Sequence, residues 1–317
     1  MKLKDNELAV ISAVLFDADI PTAALARDKG LSPAVARATL ERLIDRKVLR
    51  YYPFINPYSL GYVPYQVYFT PAPSKRQEII SFLNKHTSVS WLIRTSGPYE
   101  YCAAVLCRTP FDLKNILCEM GKRLGATFLE RVTTIQTELS LFEPKFIFGR
   151  EASDRSISWQ PLDRPPVKLD TIDHRILSGL ISNNYLSHRD LARQLSIAPS
   201  TFAERINKLS VDGVITRFLY ILNLDSLGYK SFKILIPVRT THPKLREELR
   251  ELAKQEPHVF TVTECLGPWD FEIDLRCAGR DTVESFVQTL SRYFKKLLGP
   301  VQVLEYKERL KLACYPF

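Results

Sequence analysis

The chain has 317 residues, of which 45% are hydrophobic and 25% charged, and its formal net charge is +9 at pH 7. This length exceeds one ordinary domain, and the composition is that of a globular protein rather than a disordered one. The sequence has no apolar run of about 18 residues, which argues against a membrane span. Its first ten residues lack the apolar core of a secretory signal, which predicts a cytoplasmic protein. The positive charge favours a polyanionic partner.

No catalytic residue, metal ligand or cofactor is predicted. The sequence lacks a phosphate loop, a nucleophile elbow and a metal motif. Its five histidines show no catalytic spacing: His86, His174, His188, His242 and His258. The six cysteines form no Cys-x-x-Cys pair and are predicted to be buried free thiols: Cys102, Cys107, Cys118, Cys265, Cys277 and Cys314.

The first fifty residues have the pattern of a helix-turn-helix. Pro33 fits the first turn of a helix that Ser32 caps. Ala36, Leu40 and Leu43 recur at helical spacing and predict one buried face. The arrangement predicts a small DNA-binding head.

A βαββαβ order follows the first head. The predicted strands and helices, in chain order, are Val63–Thr70, Lys75–His86 (helix), Val89–Thr95, Tyr101–Cys107, Asp112–Leu124 (helix) and Val132–Leu141. The order is that of a ferredoxin-like unit with both helices on one face of the sheet. The other face carries apolar residues and requires a cover.

Residues 149–168 are predicted to form an extended linker. The stretch is polar and contains three prolines, two of them adjacent. Trp159 is too large to remain wholly exposed, so we expect it to dock on a neighbouring surface.

The second head, Leu186 to Arg217, has the clearest pattern. Ser187 caps a first helix, Pro199 opens a second, and Gly213 ends it before a small β-wing. Phe202, Ile206 and Leu209 predict the buried face. The opposite face is polar and cationic, as base edges and phosphates in a major groove require: Ser200, Thr201, Glu204, Arg205, Asn207 and Lys208. The same geometry also serves simply to pack three helices, and some winged domains bind only protein.

The chain is an internal repeat. Residues 3–50 align without a gap on residues 169–216, so that residue n matches residue n+166. Ser59-Leu60-Gly61-Tyr62 recurs as Ser226-Leu227-Gly228-Tyr229, and Gly97-Pro98-Tyr99-Glu100-Tyr101 recurs as Gly267-Pro268-Trp269-Asp270-Phe271. A second βαββαβ order therefore runs from Ser231 to Leu312. Two copies of one unit account for nearly the whole chain.

This arrangement resembles the Lrp/AsnC family of transcription regulators. The resemblance rests on the helix-turn-helix followed by βαββαβ, the NPYSLGY and NLDSLGY hinges, the GPWDF hairpin and the LDTIDHRIL phrase that opens copy two. It covers each copy from end to end, so the chain resembles a fused tandem of two protomers. The family implies double-stranded DNA as a partner, dimerisation through the sheet, and a small effector such as an amino acid.

The resemblance also implies site residues. Those implied to bind DNA are Ser200, Thr201, Glu204, Arg205 and Lys208 in copy two, with Arg37, Thr39 and Arg42 retained in copy one. Those considered for effector binding lie in the two hairpins: Gly97, Tyr99, Glu100, Gly267, Trp269 and Asp270. Glu100 and Asp270 are candidates to accept an ammonium group. An acidic residue after such a turn also often satisfies backbone N–H groups, and Tyr99 and Trp269 also fit a packing role.

Copy one departs from the family pattern. It has Ala34, Val35 and Ala38 where copy two has Ser200, Thr201 and Glu204. It also has Lys47 where copy two has Gly213, although a left-handed residue there costs a side chain about 1 kcal/mol. The first head therefore either reads a different half-site or chiefly holds phosphates.

The predicted fold class is α+β, with two winged helix-turn-helix domains and two ferredoxin-like domains whose sheets pair as an intrachain pseudo-dimer. The predicted boundaries are 1–55 and 169–221 for the heads, 56–146 and 222–317 for the ferredoxin-like domains, and 147–168 for the linker. Such chains are expected to assemble further as homo-oligomers.

Two alternatives to a DNA-binding regulator remain. One is an enzyme similar to the siroheme decarboxylases, which share this fold. Their hairpin carries histidine, whereas TSGPYEYCAAV and CLGPWDFEIDL contain none. The other is an effector-sensing module that has lost DNA binding.

Overall fold

The computed structural model describes residues 3–125, 127–149, 155–182 and 187–313. Within these ranges the helices are α1 (Asp5–Val14), α2 (Thr22–Asp28), α3 (Pro33–Asp45), α4 (Arg76–Lys85), α5 (Pro110–Leu124), α6 (Lys145–Phe148), α7 (Thr171–Ser182), α8 (His188–Gln194), α9 (Pro199–Val211), α10 (Pro243–Gln255) and α11 (Arg280–Phe294). The strands are β1 (Leu49–Ile55), β2 (Val63–Pro71), β3 (Val89–Ser96), β4 (Tyr101–Cys107), β5 (Phe128–Phe142), β6 (Ser156–Trp159), β7 (Ile215–Leu222), β8 (Lys230–Ile236), β9 (Val259–Leu266), β10 (Phe271–Cys277) and β11 (Gln302–Leu312).

The chain folds into two compact units, and each unit contains one half of both copies. The head unit comprises Met1–Leu60, Glu143–Ser156 and Val167–Tyr229, and the sheet unit comprises Gly61–Phe142, Ile157–Pro166 and Lys230–Phe317. The boundary between the units therefore falls within NPYSLGY, after Leu60, and directly after NLDSLGY, at Tyr229. The boundaries expected from the sequence, after residues 55 and 221, lie earlier in the chain.

In the sheet unit each copy forms a four-stranded antiparallel sheet in the strand order of a ferredoxin-like fold. The orders are β5-β2-β4-β3 for copy one and β11-β8-β10-β9 for copy two. The edges of the two sheets are hydrogen-bonded to each other, since β5 pairs with β9 and β11 pairs with β3. Eight strands thus close into a ring with no free edge. The ferredoxin-like pseudo-dimer expected from the sequence is confirmed.

Alternation along the strands divides side chains between two layers. In β8, Phe232, Ile234 and Ile236 pack into the core beneath α10 and α11. Leu235 points to the opposite face, where it joins an aromatic cluster that contains Tyr68 of copy one and Trp269 of copy two. The rings of Tyr68 and Trp269 lie 5.0 Å apart in an edge-to-face arrangement. The inner faces of the two sheets therefore cover each other, as the apolar pattern requires.

A charged cluster from copy two lies within this buried layer. Lys233 Nζ is 2.8 Å from Glu272 Oε2 and 3.4 Å from Asp274 Oδ1. Glu272 Oε1 also accepts from Trp269 Nε1 at 3.0 Å and from the copy-one hydroxyl of Thr134 at 3.2 Å. Burial alone would lower the pKa of Lys233, but the carboxylates of Asp274 and Glu272 hold it well above its ordinary value. The lysine is therefore charged and fully paired.

The glycine of each hairpin fits closely against a strand of the other copy. A Cβ added at Gly97, where φ is +130°, would meet the Val303 carbonyl oxygen at 2.7 Å. A Cβ added at Gly267 would meet the side chain of Thr134 at 2.9 Å. These glycines permit the backbone approach that joins the two copies.

The linker is more ordered than the sequence predicts where it is described. Just before the predicted linker, Phe146 of α6 packs its ring 4.7 Å from that of Tyr229 in the head unit. The strand β6 joins the sheet beside β5, and the Ser158 and Ser140 hydroxyls lie 3.1 Å apart. Trp159 ends this strand half-buried. A strand is an extended segment, and the buried side chain of Ile157 anchors it amid the polar residues.

Four of the cysteines match the expectation of buried free thiols: Cys102, Cys107, Cys265 and Cys277. Burial raises the pKa of the Cys107 thiol to about 12, so that thiol is protonated and unreactive at neutral pH. Cys118 is free but exposed on α5, contrary to the prediction. Cys314 lies outside the described residues, as does Leu186 in the second head.

Among the described helices, none combines the length and apolar character needed to cross a membrane.

The charged cluster generates a prediction about stability. Lys233→Met leaves Glu272 and Asp274 buried without their cation, and we expect it to lower the free energy of unfolding by about 3–5 kcal/mol. Lys244→Met is the matched control, because its side chain is 74% exposed and pairs only with Glu248 across one helical turn. Urea unfolding of both variants measures the difference, and equal midpoints would contradict the assignment.

Candidate nucleic-acid interface

The second head positions its recognition helix as the sequence predicts. Ser187 Oγ accepts from the Asp190 backbone N–H at 3.1 Å and so caps α8. In the turn, Ser196 adopts a left-handed φ of 54°, and Pro199 occupies the first turn of α9. Phe202 and Leu209 are buried, whereas Ile206 is half-buried. The predicted helix-turn-helix is confirmed.

The outward face of α9 is defined by residues at helical spacing, and it differs in part from the predicted set. The exposed residues are Ser200, Ala203, Glu204, Asn207, Lys208, Ser210 and Val211. Thr201 is only half-exposed at the edge of this face. Ala203 was not selected from the sequence because it carries no polar group, yet it lies between the polar residues.

Arg205 does not lie free on this face, and the sequence-based placement was wrong. Its guanidinium donates to the carboxylates of Asp170 and Asp173 at the start of α7, with a distance of 3.2 Å to Asp173 Oδ1. Its side chain is 25% exposed, whereas that of Asp173 is only 3% exposed. Arg205 therefore joins the recognition helix to the first helix of its own head. The hydrogen bonds to Asp170 and Asp173 raise the pKa of Arg205, which keeps it charged.

The first head has the equivalent acidic residue but a different arginine partner. Glu7 corresponds to Asp173 in the repeat and is buried, and its Oε1 accepts from Arg46 at 2.7 Å and lies 3.5 Å from Arg42. Burial opposes ionisation of Glu7, but the Lys4 backbone N–H and the guanidinium groups of Arg46 and Arg42 outweigh it and lower its pKa. In both heads a partly exposed arginine thus joins the recognition helix to a buried carboxylate of the first helix.

This difference changes the assignment of copy-one residues. Thr39 corresponds to Arg205, but it is only 2% exposed and so cannot reach DNA without unpacking. The prediction for Thr39 was therefore wrong, because α3 turns this position toward α1. Arg42 keeps a side chain that is 45% exposed while it contacts Glu7. Arg37 is 75% exposed and pairs with Glu41 one turn along at 2.9 Å.

The C-terminal end of each recognition helix has the left-handed conformation expected. Gly213 has φ 58° and Lys47 has φ 55°. Lys47 therefore carries the strain inferred from the repeat, and the first head retains the backbone geometry of the second at this point.

The strand after each recognition helix joins the two heads together. β1 pairs antiparallel with β7, with Tyr52 opposite Leu219. Two backbone bonds extend this ribbon at its ends, from Asn56 N–H to the Val214 carbonyl at 2.9 Å and from Asn223 N–H to the Val48 carbonyl at 2.8 Å. The wing strands of the heads therefore form one shared ribbon, and each head completes the other.

In the sheet unit, the aromatic hairpin residues are packing residues. Tyr99 and Trp269 are 6% and 4% exposed and belong to the buried aromatic cluster. Both side chains therefore fit the packing role, and a ligand contact by either one stays a prediction. Gly97 and Gly267 permit the inter-copy approach described above.

The acidic hairpin residues already have cationic partners. Glu100 Oε2 accepts from Arg76 at 2.7 Å, and Asp270 Oδ1 lies 3.7 Å from Arg246, which occupies the equivalent place in copy two. Asp270 Oδ2 also accepts from the Val238 backbone N–H at 2.8 Å. The bond from Val238 fits the alternative in which Asp270, as an acidic residue after a turn, satisfies a backbone N–H group. An ammonium contact at either residue stays a prediction, and it would have to compete with an arginine.

A cleft of about 720 Å³ opens beside the second hairpin. It lies between α5 and β5 of copy one, and Leu266 and Gly267 of copy two form one side. Among the six predicted effector residues, Gly267 is the one that lines it. Lys114 and Arg131 give it two cations that sequence reading did not single out, because α5 and β5 meet only in the folded sheet.

Two helix-turn-helix heads that share a strand ribbon define a class of protein, the paired winged helix-turn-helix DNA-binding proteins. The winged helix-turn-helix DNA-binding family matches residues 169–216. An uncharacterized HTH-type transcriptional regulator of Pyrococcus furiosus is 33% identical over 124 residues, which cover 39% of this chain and 82% of that protein. The HTH-type transcriptional regulator FL11 of Pyrococcus abyssi is 31% identical over 124 residues, which cover 39% of this chain and 81% of that protein.

The chain therefore belongs to the Lrp/AsnC family of HTH-type transcriptional regulators, as a tandem of two protomer-like copies. Among solved structures, the siroheme decarboxylase NirDL covers 99% of this chain with 94% of its own, at a TM-score of 0.63 and 15% identity. At that identity the likeness shows the shared fold alone.

The contacts of Arg205 generate a prediction that separates structure from base reading. Arg205→Ala leaves Asp173 buried without a guanidinium, so we expect a melting midpoint several degrees lower and no changed preference at a single base pair. Arg193→Ala is the control, because Arg193 is 72% exposed and pairs with Asp190 on the same helix. Thermal melts and duplex selection measure the two effects. An unchanged midpoint with a relaxed base preference would restore the direct-contact role.

Proposed function

We propose that one chain engages duplex DNA with both recognition helices, reads two unlike half-sites, and responds to a small anionic effector held in the sheet unit. The observation that carries the proposal is the difference between the two outward helix faces within one head unit. A family dimer of identical protomers presents the same face twice, and its operator symmetry follows. This chain presents two different faces.

The two outward faces offer different side chains to DNA. The second head offers Ser200, Glu204, Asn207 and Lys208, among which the Asn207 amide has the geometry to pair with an adenine edge. The first head offers small residues and an ion pair: Ala34, Ala38, Arg37, Glu41 and Arg42. We infer that the second head supplies most base discrimination and that the first supplies phosphate contacts and one cationic reading position.

Effector binding is supported by the cleft beside Gly267. Lys114 and Arg131 stand over an apolar lining that includes Leu113, Leu117 and Ile135. A small molecule with a carboxylate and an apolar side chain, such as an amino acid, fits that pattern. The equivalent positions of copy two are Glu284 and Val301, so the first-copy cleft is the one that favours an anion.

The alternatives make different demands on the chain. A decarboxylase-like activity is favoured by the whole-chain fold likeness to NirDL. Neither hairpin contains a histidine, and the cleft of the sheet unit is lined by none. We therefore propose a regulator rather than an enzyme. A sensing module without DNA binding is favoured only by the loss of polar residues in the first head.

The test is selection of bound duplexes from a randomised pool by the purified chain, with and without a mixture of amino acids. We expect two unlike half-sites in the enriched sequence. If chains associate further about a two-fold axis, inverted copies of that pair follow at larger spacing. Enrichment should change when amino acids are present.

Three outcomes would contradict the proposal. One short perfect palindrome bound by a single chain would mean that the differences in the first head are silent. No enrichment, together with an absorbance change on adding an iron tetrapyrrole, would favour the decarboxylase. No enrichment with amino-acid binding intact would favour the sensing module.

Lys208 gives a prediction on the electrostatics of binding. It is exposed near the C-terminal end of α9 and meets a phosphate in the proposed complex. Lys208→Ala should weaken binding to all duplexes alike and reduce the slope of log K against log salt by about one unit. Lys244→Ala, on the sheet unit, is the control. A Lys208→Ala chain with the parental salt slope would exclude this contact.

A further inference from the structure

A second cleft, of about 630 Å³, lies in the head unit against the recognition helix of the second head. One side is the α9 surface from Pro199 to Ser210, and the other is the start of β7. His188 and Arg189 at the N-terminus of α8 and Asp19 of the first head complete the lining. The cleft is distinct from the one in the sheet unit, and among the residues proposed above to contact DNA it shares Asn207.

Three rings form its apolar wall. Phe202 and Phe218 are 1% and 6% exposed, so they are fixed by the core behind them. The His188 ring lies 5.7 Å from Phe202 and 5.1 Å from Phe218. Tyr51 of the first head stacks on the far side of Phe218 at 5.3 Å. This wall is rigid and suits the face or edge of a flat ring.

His188 is held as part of the wall rather than as a free cation. Its Nε2 lies 2.9 Å from the Tyr51 hydroxyl, which also lies 3.4 Å from Asp19 Oδ1. Burial lowers the pKa of His188, although the carboxylate of Asp19 opposes this effect. The imidazole is therefore neutral at pH 7, and the charge of the cleft is set by other groups.

Those groups are two arginines against one carboxylate. Arg189 and Arg217 both line the cleft and are both exposed, and Asp19 is the acidic member of the lining. Arg217 donates from Nη1 to the Phe16 carbonyl at 3.1 Å, which anchors its guanidinium and uses one of its five N–H donors. The rim therefore favours an anion, and a guanidinium binds a carboxylate with two parallel hydrogen bonds.

The first head lacks this cleft chemistry at the equivalent positions. Ala203, Asn207 and Ser210 correspond to Arg37, Glu41 and Ile44, which are all larger. The ion pair between Arg37 and Glu41 spans the equivalent helix surface at 2.9 Å. Arg189 and Arg217 correspond to Ala23 and Tyr51. The space and both cations thus belong to the second head alone.

We propose that this cleft binds a small aromatic carboxylate, with its ring against Phe202 and Phe218 and its carboxylate on Arg189 and Arg217. The volume is within the range of small-molecule sites. The bound acid would contact Ala203 and Asn207 at the border of the DNA-reading face, so it would change duplex affinity from inside the head unit. The proposal depends on DNA binding only for this consequence and not for ligand binding itself.

The test measures binding of phenylacetate to the full chain by saturation-transfer NMR and by titration, with phenylacetamide and phenethylamine as neutral and cationic analogues. We expect phenylacetate to bind and each analogue to bind about tenfold more weakly or not at all, because only the acid forms charge-assisted hydrogen bonds with both arginines.

Two variants locate the site. Arg189→Gln should weaken phenylacetate binding about tenfold. It removes a cation from a helix N-terminus, where positive charge is unfavourable, so folding is preserved. Ala203→Arg fills the cleft with the residue that the first head has at this position, and it should abolish binding. Arg193→Gln, on the same helix as Arg189 but outside the cleft, should bind as the parent does. A melt of each variant confirms that it is folded.

Two results would overturn the proposal. Phenylacetate binding that survives Ala203→Arg would place the site elsewhere. No phenylacetate binding to the parent, together with a lower salt slope of duplex binding in Arg189→Gln, would assign these arginines to DNA phosphates instead. Because ligand binding is measured without DNA, its failure is distinguishable from a failure of the DNA-binding function.

Discussion

Closure of strand edges is the constraint on which the sheet unit depends. A ferredoxin-like sheet of four strands leaves two edges and one apolar face open, and each is a liability in water. Here β5 pairs with β9 and β11 pairs with β3, so that each copy supplies the partner strands that the other lacks. The same relation recurs in the head unit, where β1 and β7 satisfy each other. Fusion of two copies in one chain makes both pairings intramolecular, which removes the concentration dependence that a dimer would have.

Within that closed ring the copies are not interchangeable. The inner positions held by Lys233 and Glu272 in copy two correspond to Gln66 and Cys102 in copy one. Charge in one sheet therefore meets neutral residues in the other, and the Thr134 hydroxyl of copy one donates to Glu272. A pair of two second copies would bring two sets of buried charges together, and like charges in a dry layer are costly. The polar cluster thus favours pairing between unlike copies, which is a specificity that burial area alone would not provide.

The sequence predicted most of the fold because its signals are periodic and repeated. The helix cap at Ser187, the proline that opens α9, the βαββαβ order and the hairpin glycines each follow from local chemistry. The repeat doubles the last three of these signals. Side-chain roles on the recognition helices were less predictable. Arg205 and Thr39 lie at equivalent helix positions, but Arg205 pairs with the buried acid of α7, whereas the buried acid of α1 pairs with Arg46 instead. Each acid lies more than thirty residues away in the chain from the recognition-helix position, so the pairing could not be predicted from local pattern. The clefts were not predictable at all, because each is formed by elements that meet only after folding.

The two heads show how a duplicated head diverges while its framework persists. Both keep a buried acid on the first helix, Glu7 or Asp173, and both satisfy it with an arginine of the recognition helix region. In copy one the arginine lies at the C-terminal end of the recognition helix, and in copy two it lies in the middle of that helix. The residues that remain available for other contacts therefore differ between the heads. In copy one the position equivalent to Arg205 is the buried Thr39. Arg37 and Glu41 occupy the outer surface of that helix. In copy two the ion pair withdraws Arg205 from the groove side, where Asn207 and Lys208 remain exposed. One relocated ion pair therefore explains why Thr39 and Arg205 differ in their roles, because a buried carboxylate must keep a cation wherever the helix can supply one.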